Sequence, residues 1–166
     1  MATSWKDQGS CGSCWAFSAV GAVEGLVNLY YNRKLNLDLS EQQIVSCAPG
    51  SCSGGWPINA LNYIVSNGVV NENCFEYTQT NSNCDSVCTI PTERIFISNA
   101  EAFSSGNYAN PLDTLKNRII KKGILAGVVR GWGHAMSLVG YGTIKEGDVV
   151  FYAEMSQNQS MDDIII

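Results

Sequence analysis

Apolar residues crowd one stretch of the chain, Trp15 to Tyr31, which follows a loop of small residues at Gly9-Ser10 and Gly12-Ser13. A run of that length predicts a buried helix with Ser13 as its N-cap and Cys14 in its first turn. Ser40-Glu41-Gln42-Gln43 forms a capping box, with Ser40 at the cap and Gln43 at N3, and opens a short helix ending near Cys47. Cys52-Ser53-Gly54-Gly55-Trp56-Pro57 reads as a glycine-rich turn followed by a proline suited to the first turn of a helix. That helix, Asn59 to Ser66, places Leu61, Ile64 and Val65 on one side and stops at Gly68. Asn71 to Pro91 shows few strand or helix signals and reads as a loop held by cysteine cross-links. Arg94 to Asn99 predicts a strand. Asn110-Pro111 starts a helix whose buried side carries Leu112, Leu115, Ile119 and Ile120, ended by Lys121-Lys122-Gly123. Leu125 to Val129, Ala135 to Tyr141 and Val149 to Ala153 predict three further strands. Helices come first and strands second, without βαβ alternation. The order predicts an α+β fold with a cleft between its two parts.

Composition narrows the class. The chain has 166 residues, 45% of them hydrophobic and 15% charged, which describes a globular protein with a real core. Ser18, Glu24 and Asn28 interrupt the longest apolar run, so no membrane-spanning segment is expected. A net charge of −5 argues against a polyanionic partner such as nucleic acid. The first residues lack the basic and apolar pattern of a signal peptide. Seven cysteines is a high and odd number. Six of them can pair in many ways, leaving one thiol, and bridges of this kind imply an oxidising compartment.

The stretch Gln8 to Ser18 carries the candidate chemistry. A cysteine in the first turn of a helix meets backbone N–H groups and a dipole that favour thiolate, and the glycines and serines before it leave room for a substrate backbone. Cys11-Gly12-Ser13-Cys14-Trp15 resembles the local signature of the papain-like cysteine peptidases, Cys-Gly-Ser/Ala-Cys-Trp/Tyr. The resemblance implies that Cys14 is the nucleophile and that Gln8 supplies the oxyanion-hole side chain. It implies a two-lobe fold, with an N-terminal helical lobe over 1–90 and a C-terminal strand-rich lobe over 91–166. It also implies a free Cys14 and the bridges Cys11–Cys52 and Cys47–Cys84. The run Asn73 to Cys84 is similar to the cathepsin C branch of the family, which implies the further bridge Cys74–Cys88. Each such bridge typically adds about 2–4 kcal/mol.

His134 is the sole histidine. It opens Gly133-His134-Ala135-Met136-Ser137-Leu138-Val139-Gly140-Tyr141-Gly142, which is similar to the family's block around its catalytic histidine. A cysteine nucleophile needs a base that can then protonate the leaving amine, and imidazole does both near neutral pH. His134 stands 120 residues after Cys14 (134 − 14), against roughly 130–150 in the family. The shortfall falls between Val129 and Trp132, and the second lobe is expected to be shortened there. The family's asparagine block that orients the histidine is absent. Asn158, 144 residues after Cys14 (158 − 14), is the candidate orienter, and it also lies in a glycosylation sequon, Asn158-Gln159-Ser160. By the same resemblance Gly54 and Gly55 pair with the substrate backbone like an added strand. Trp56 and Pro57 form one wall of an apolar pocket for the second residue before the scissile bond, and Ala135 forms its floor.

The reading is a single peptidase domain over 1–166 that hydrolyses peptide bonds internally through an acyl-enzyme. Peptides or proteins are its substrates, and the resemblance implies a propeptide or protein inhibitor as a further partner. No cofactor and no metal is expected. A monomer in a secreted or lysosome- or vacuole-like compartment is expected. The alternative is a catalytically impaired peptide-binding protein on the same fold, supported by the missing asparagine block. A redox or zinc protein built on Cys11-x-x-Cys14 and Cys84-x-x-x-Cys88 is disfavoured by the single histidine and the absence of a thioredoxin-like βαβ pattern.

Overall fold

A computed structural model describes residues 6–88, 93–104, 109–129, 131–143, 149–154 and 164–165, with backbone alone from Thr143 onward. Helix α1 spans Cys14–Tyr30. Its length follows from the apolar run, and Trp15, Ala16, Ala19, Val20 and Val23 are buried along it. Ser13 holds the N-cap position, but its hydroxyl does not cap the helix. That hydroxyl is engaged instead by Tyr77 Oη, with the Cys11 carbonyl 3.4 Å away.

Helix α2 spans Glu41–Cys47, and Ser40 Oγ accepts from the Gln43 N–H at 3.0 Å. Only that arm of the capping box forms. Ser40 N–H donates to the Val70 carbonyl at 2.9 Å. The Gln43 amide turns the other way, donating to the Gly68 carbonyl and accepting from Val70 N–H. A tertiary tie between α2 and the end of the next helix has replaced a local one. Strands β1 (Gly50–Ser51) and β2 (Gly54–Gly55) make a small antiparallel hairpin. Helix α3 spans Pro57–Asn67, two residues earlier than Asn59, because proline at the first helical position fixes φ without losing a needed N–H. Gly68, at φ +68°, ends it.

Two expectations fail in the segment that follows. Arg94–Asn99 is no strand; Ile95 alone makes an isolated bridge, with Val69. Ile95 and Ile97 are half-buried and Phe96 is exposed, so burial alternates as in a strand, but the backbone finds a pairing partner only at Val69. Helix α4, Pro111–Lys122, buries Leu115 and half-buries Leu112 and Ile119, which share one face at i, i+3, i+7. Ile120 lies a further residue round the helix and is exposed, not buried.

The C-terminal part is an antiparallel sheet in the order β3 (Leu125–Val129), β4 (His134–Thr143), β5 (Val149–Glu154) and β6 (Ile164–Ile165). β4 begins at His134, one residue before Ala135, with His134 opposite Val129. The connection before His134 is a tight turn, with Gly131 and Gly133 at positive φ and Trp132 N–H donating to the Val129 carbonyl. β4 joins the two halves of the fold because strand residues alternate sides. Ala135 enters the core of α1, α2 and α3, and Ser137 bonds to α1. Met136 and Leu138 enter a second cluster with Leu115 of α4. The result is an α+β architecture, helical first and strand-rich second.

Candidate active site

Cys14 opens α1 and is half-buried. It is the one free cysteine, since Cys11–Cys52, Cys47–Cys84 and Cys74–Cys88 are bridged. Cys11, Cys84 and Cys88 are each bridged to a cysteine outside their own motif, so neither Cys11-x-x-Cys14 nor Cys84-x-x-x-Cys88 offers a thiol pair, which removes the redox and zinc reading. Three bridges indicate an oxidising environment of extracellular or lysosomal type.

The loop before Cys14 is held tightly. Gln8 is buried, and its Nε2 donates to the Cys11 carbonyl at 3.0 Å. Gly12 N–H donates to the Cys52 carbonyl at 2.8 Å. A Cβ on Gly12 would stand 2.6 Å from that same oxygen, so only glycine lets the bridge and the loop before Cys14 approach so closely.

Trp15, the residue after Cys14, is fully buried and carries the glycine hairpin. Its Nε1 donates to the Ser51 carbonyl at 3.2 Å. A Cβ on Gly50 or Gly55 would meet the indole at 2.5 Å. The hairpin backbone thus lies on the ring. Gly54 is exposed, and a Cβ there would meet nothing within 4 Å, so this edge faces open space. Trp56 is also exposed, which excludes a core role for its indole, while Pro57 is buried.

His134 is brought in from the other half of the fold. Ser18 Oγ donates to the Met136 carbonyl at 2.8 Å, and Ser137 Oγ donates to the Ser18 carbonyl at 3.0 Å. Further along α1, a Cβ on Gly21 would meet Ser137 and one on Gly25 would meet Ile124. Ile124 precedes Leu125, which pairs with Leu138. Helix and strand therefore run the same way, and their first residues, Cys14 and His134, fall at the same end. Cys14 and Ala135 accordingly belong to one packed cluster.

His134 is half-buried, and burial lowers its pKa below the ordinary imidazole value, favouring the neutral ring. Its Nε2 is buried and has no hydrogen-bond partner among the described residues. Asn158 lies outside the described residues.

Sequence reasoning missed two groups around the site. Lys6 Nζ is enclosed by Glu24, Asp38 and Glu41 at 3.3, 2.8 and 2.9 Å, and donates to the Leu39 carbonyl as well. It anchors the segment that leads into Gln8. Tyr77 Oη touches the loop before Cys14 at Gln8 and Ser13. Ser18, a polar residue inside an apolar run, was the one visible signal of the tie between α1 and β4.

Residues 1–155 match the papain family cysteine proteases. Zingipain-1 of Zingiber officinale is 48% identical over 83 residues, covering 48% of this chain and 37% of zingipain-1. Zingipain-2 from the same plant is 33% identical over 159 residues, covering 86% of this chain and 71% of that protein. The structure of bromelain from Ananas comosus with the E64 inhibitor superposes with a TM-score of 0.73 at 26% identity, over 92% of this chain and 76% of bromelain. The chain spans less than half of some curated relatives, 46% of cathepsin L 1 of Paramecium tetraurelia among them. The signature around Cys14, the shared ends of α1 and β4, and the match over nearly the whole sequence lead to one conclusion: the chain belongs to the papain family of cysteine proteases.

Proposed function

We propose that the chain is a cysteine-type endopeptidase acting through Cys14 and His134. The observation that carries this reading is the delivery of the one free cysteine and the one histidine to the same end of α1 and β4, by the Ser18–Met136 and Ser137–Ser18 bonds. His134 takes the proton of the Cys14 thiol, and the thiolate attacks the peptide carbonyl carbon, forming an S–C bond as the C=O π pair moves onto oxygen. The oxyanion is held by the Cys14 backbone N–H and an N–H of the Gln8 amide. Collapse breaks the C–N bond as the His134 imidazolium gives its proton to the leaving amine. His134 then takes a proton from water, the hydroxide attacks the thioester, and the acid leaves with Cys14 restored.

Gly54 presents an open edge, where with Gly55 it would pair with an extended peptide; the exposed Trp56, with Pro57 and Ala135, would form the apolar pocket beside it. Peptides and proteins are the substrates, with a propeptide or protein inhibitor as a second kind of partner for the same cleft. The domain spans 1–166, helical over 1–90 and strand-rich beyond, acting as a monomer in a secreted or vacuole-like compartment. Asn158 is the proposed partner of His134 Nε2.

One observation favours a second reading, an impaired enzyme that binds peptide without turnover. It is the buried His134 Nε2 without a partner among the described residues. Turnover of a fluorogenic peptide between pH 5 and 7, compared with Cys14→Ala, separates the two. Turnover that Cys14→Ala abolishes supports the peptidase. Peptide binding with no turnover supports the impaired site.

A further inference from the structure

The hydroxyl of Tyr77 makes two bonds, and they go to opposite flanks of the nucleophile loop. Tyr77 Oη donates to the Gln8 carbonyl at 2.8 Å. A phenol has one O–H, so in its second bond the Ser13 hydroxyl is the donor and Tyr77 Oη the acceptor. Gln8 carries one half of the proposed oxyanion hole. Ser13 immediately precedes Cys14, whose backbone N–H is the other half. The ring is fixed in turn, edge to face against Phe17 of α1 at 4.9 Å between centroids. The Tyr77 backbone N–H donates to Glu72 Oε1 at 2.7 Å.

The residues after Tyr77 continue the same contact. Thr78 N–H and Oγ1 both donate to Gln42 Oε1 of α2. Gln79 Oε1 accepts from Ser10 N–H, and a Cβ on Gly9 would collide with the Gln79 amide. Residues 77–79 thus form a strap pinned to α2 and laid along residues 8–13. The strap lies in the loop closed by Cys74–Cys88.

We infer that Tyr77 is a positioning residue for the oxyanion hole, holding Gln8 and the Cys14 N–H at their working separation. The inference rests on the peptidase reading of Cys14 and Gln8. It does not make Tyr77 a catalytic residue, since both of its bonds are to groups other than the reacting atoms. Its effect is confined to steps in which an oxyanion forms.

Tyr77→Phe removes the hydroxyl and keeps the ring against Phe17. Three measurements compare it with the wild type: inhibition by a peptide aldehyde, which adds to Cys14 as an oxyanion-bearing adduct; alkylation of Cys14 by iodoacetamide, which forms no oxyanion; and amide hydrogen exchange over residues 8–14. Aldehyde affinity and kcat are expected to fall about tenfold, well short of the hundred- to thousandfold loss typical of removing an oxyanion donor itself. KM and the alkylation rate stay within about twofold, and exchange over 8–14 quickens. Ser13→Ala gives a smaller loss of the same pattern, and the double variant is less than additive. Unchanged exchange over 8–14 overturns the inference whatever the enzyme does. So does a parallel fall of alkylation and aldehyde binding, which marks general damage. A wild type that forms no aldehyde adduct counts against the peptidase reading instead, and exchange then decides the role of Tyr77 alone.

Discussion

Replacing Glu41 by glutamine should flatten the pH dependence of stability. Glu41 is buried beside Lys6, Glu24, Asp38 and Glu72, so several carboxylates share one ammonium. Burial pushes the Glu41 carboxyl up from 4.5 to about 8, against the attraction of Lys6. Burial opposes the charge of Lys6 too, but Glu41, Glu24 and Asp38 outweigh it and hold Lys6 above the ordinary lysine value. Lys6 therefore stays charged throughout the range tested. A carboxyl raised in the folded state contributes stability that is complete below about pH 4.5 and is lost as pH rises through 8. The full contribution is on the order of 5 kcal/mol, of which roughly 3–4 kcal/mol disappears between pH 5 and pH 8. Glu72, raised chiefly by burial, works in the same direction.

His134 works the other way: its lowered pKa gives stability that is complete above about 6.5 and is lost as pH falls. The account therefore predicts greatest stability on the acid side of neutrality. Urea unfolding followed by tryptophan fluorescence, with disulfides intact, reads this at pH 5, 6.5 and 8. The wild-type midpoint should drop by about 1–2 M between pH 5 and pH 8, using about 2 kcal/mol per M for the slope. Glu41→Gln should lose most of that drop. A wild type as stable at pH 8 as at pH 5, or a Glu41→Gln variant with the same drop, would refute the reasoning.

Other perturbations follow from the packing around Cys14. Gly12→Ala drives a Cβ to within 2.6 Å of the Cys52 carbonyl; it should cost more than about 2 kcal/mol in urea unfolding and abolish turnover. Ser137→Ala removes one buried bond to α1 and should cost about 1–2 kcal/mol. Because it loosens His134 more than Cys14, turnover should fall further than alkylation of Cys14. Trp56→Ala should raise KM roughly tenfold for peptides with a bulky apolar residue second before the scissile bond, and leave KM for a small residue there unchanged. Steady-state kinetics on a matched peptide pair checks it.

The parts of the fold that were legible in the sequence are those fixed by local chemistry. The apolar run after Cys14, the Ser40 cap, Gly68 as a stop and the three late strands each follow from residues close together in the chain. Readings went astray where distant residues compete. The Ser13 hydroxyl is taken by Tyr77, so it does not cap α1. The Gln43 amide is claimed by Gly68 and Val70, so the capping box closes on one side only. Arg94–Asn99 has β-forming residues but a single bridging neighbour, and residue type cannot supply a second. Within the site, Cys14, Gln8 and His134 stand out by motif. Tyr77 and the Lys6 cluster do not, because the partners of the Tyr77 hydroxyl and of the Lys6 ammonium are 18 to 69 residues away. A buried lysine among carboxylates leaves no periodic trace in sequence.

Covalent labelling by E64, read by mass spectrometry at Cys14 beside turnover of a fluorogenic peptide, tests the central claim most directly. The account predicts that the wild type is labelled at Cys14 alone and loses all turnover as labelling completes. His134→Ala should turn over at least about a thousandfold more slowly. Absence of label at Cys14, or turnover that persists once Cys14 is fully labelled, would contradict it.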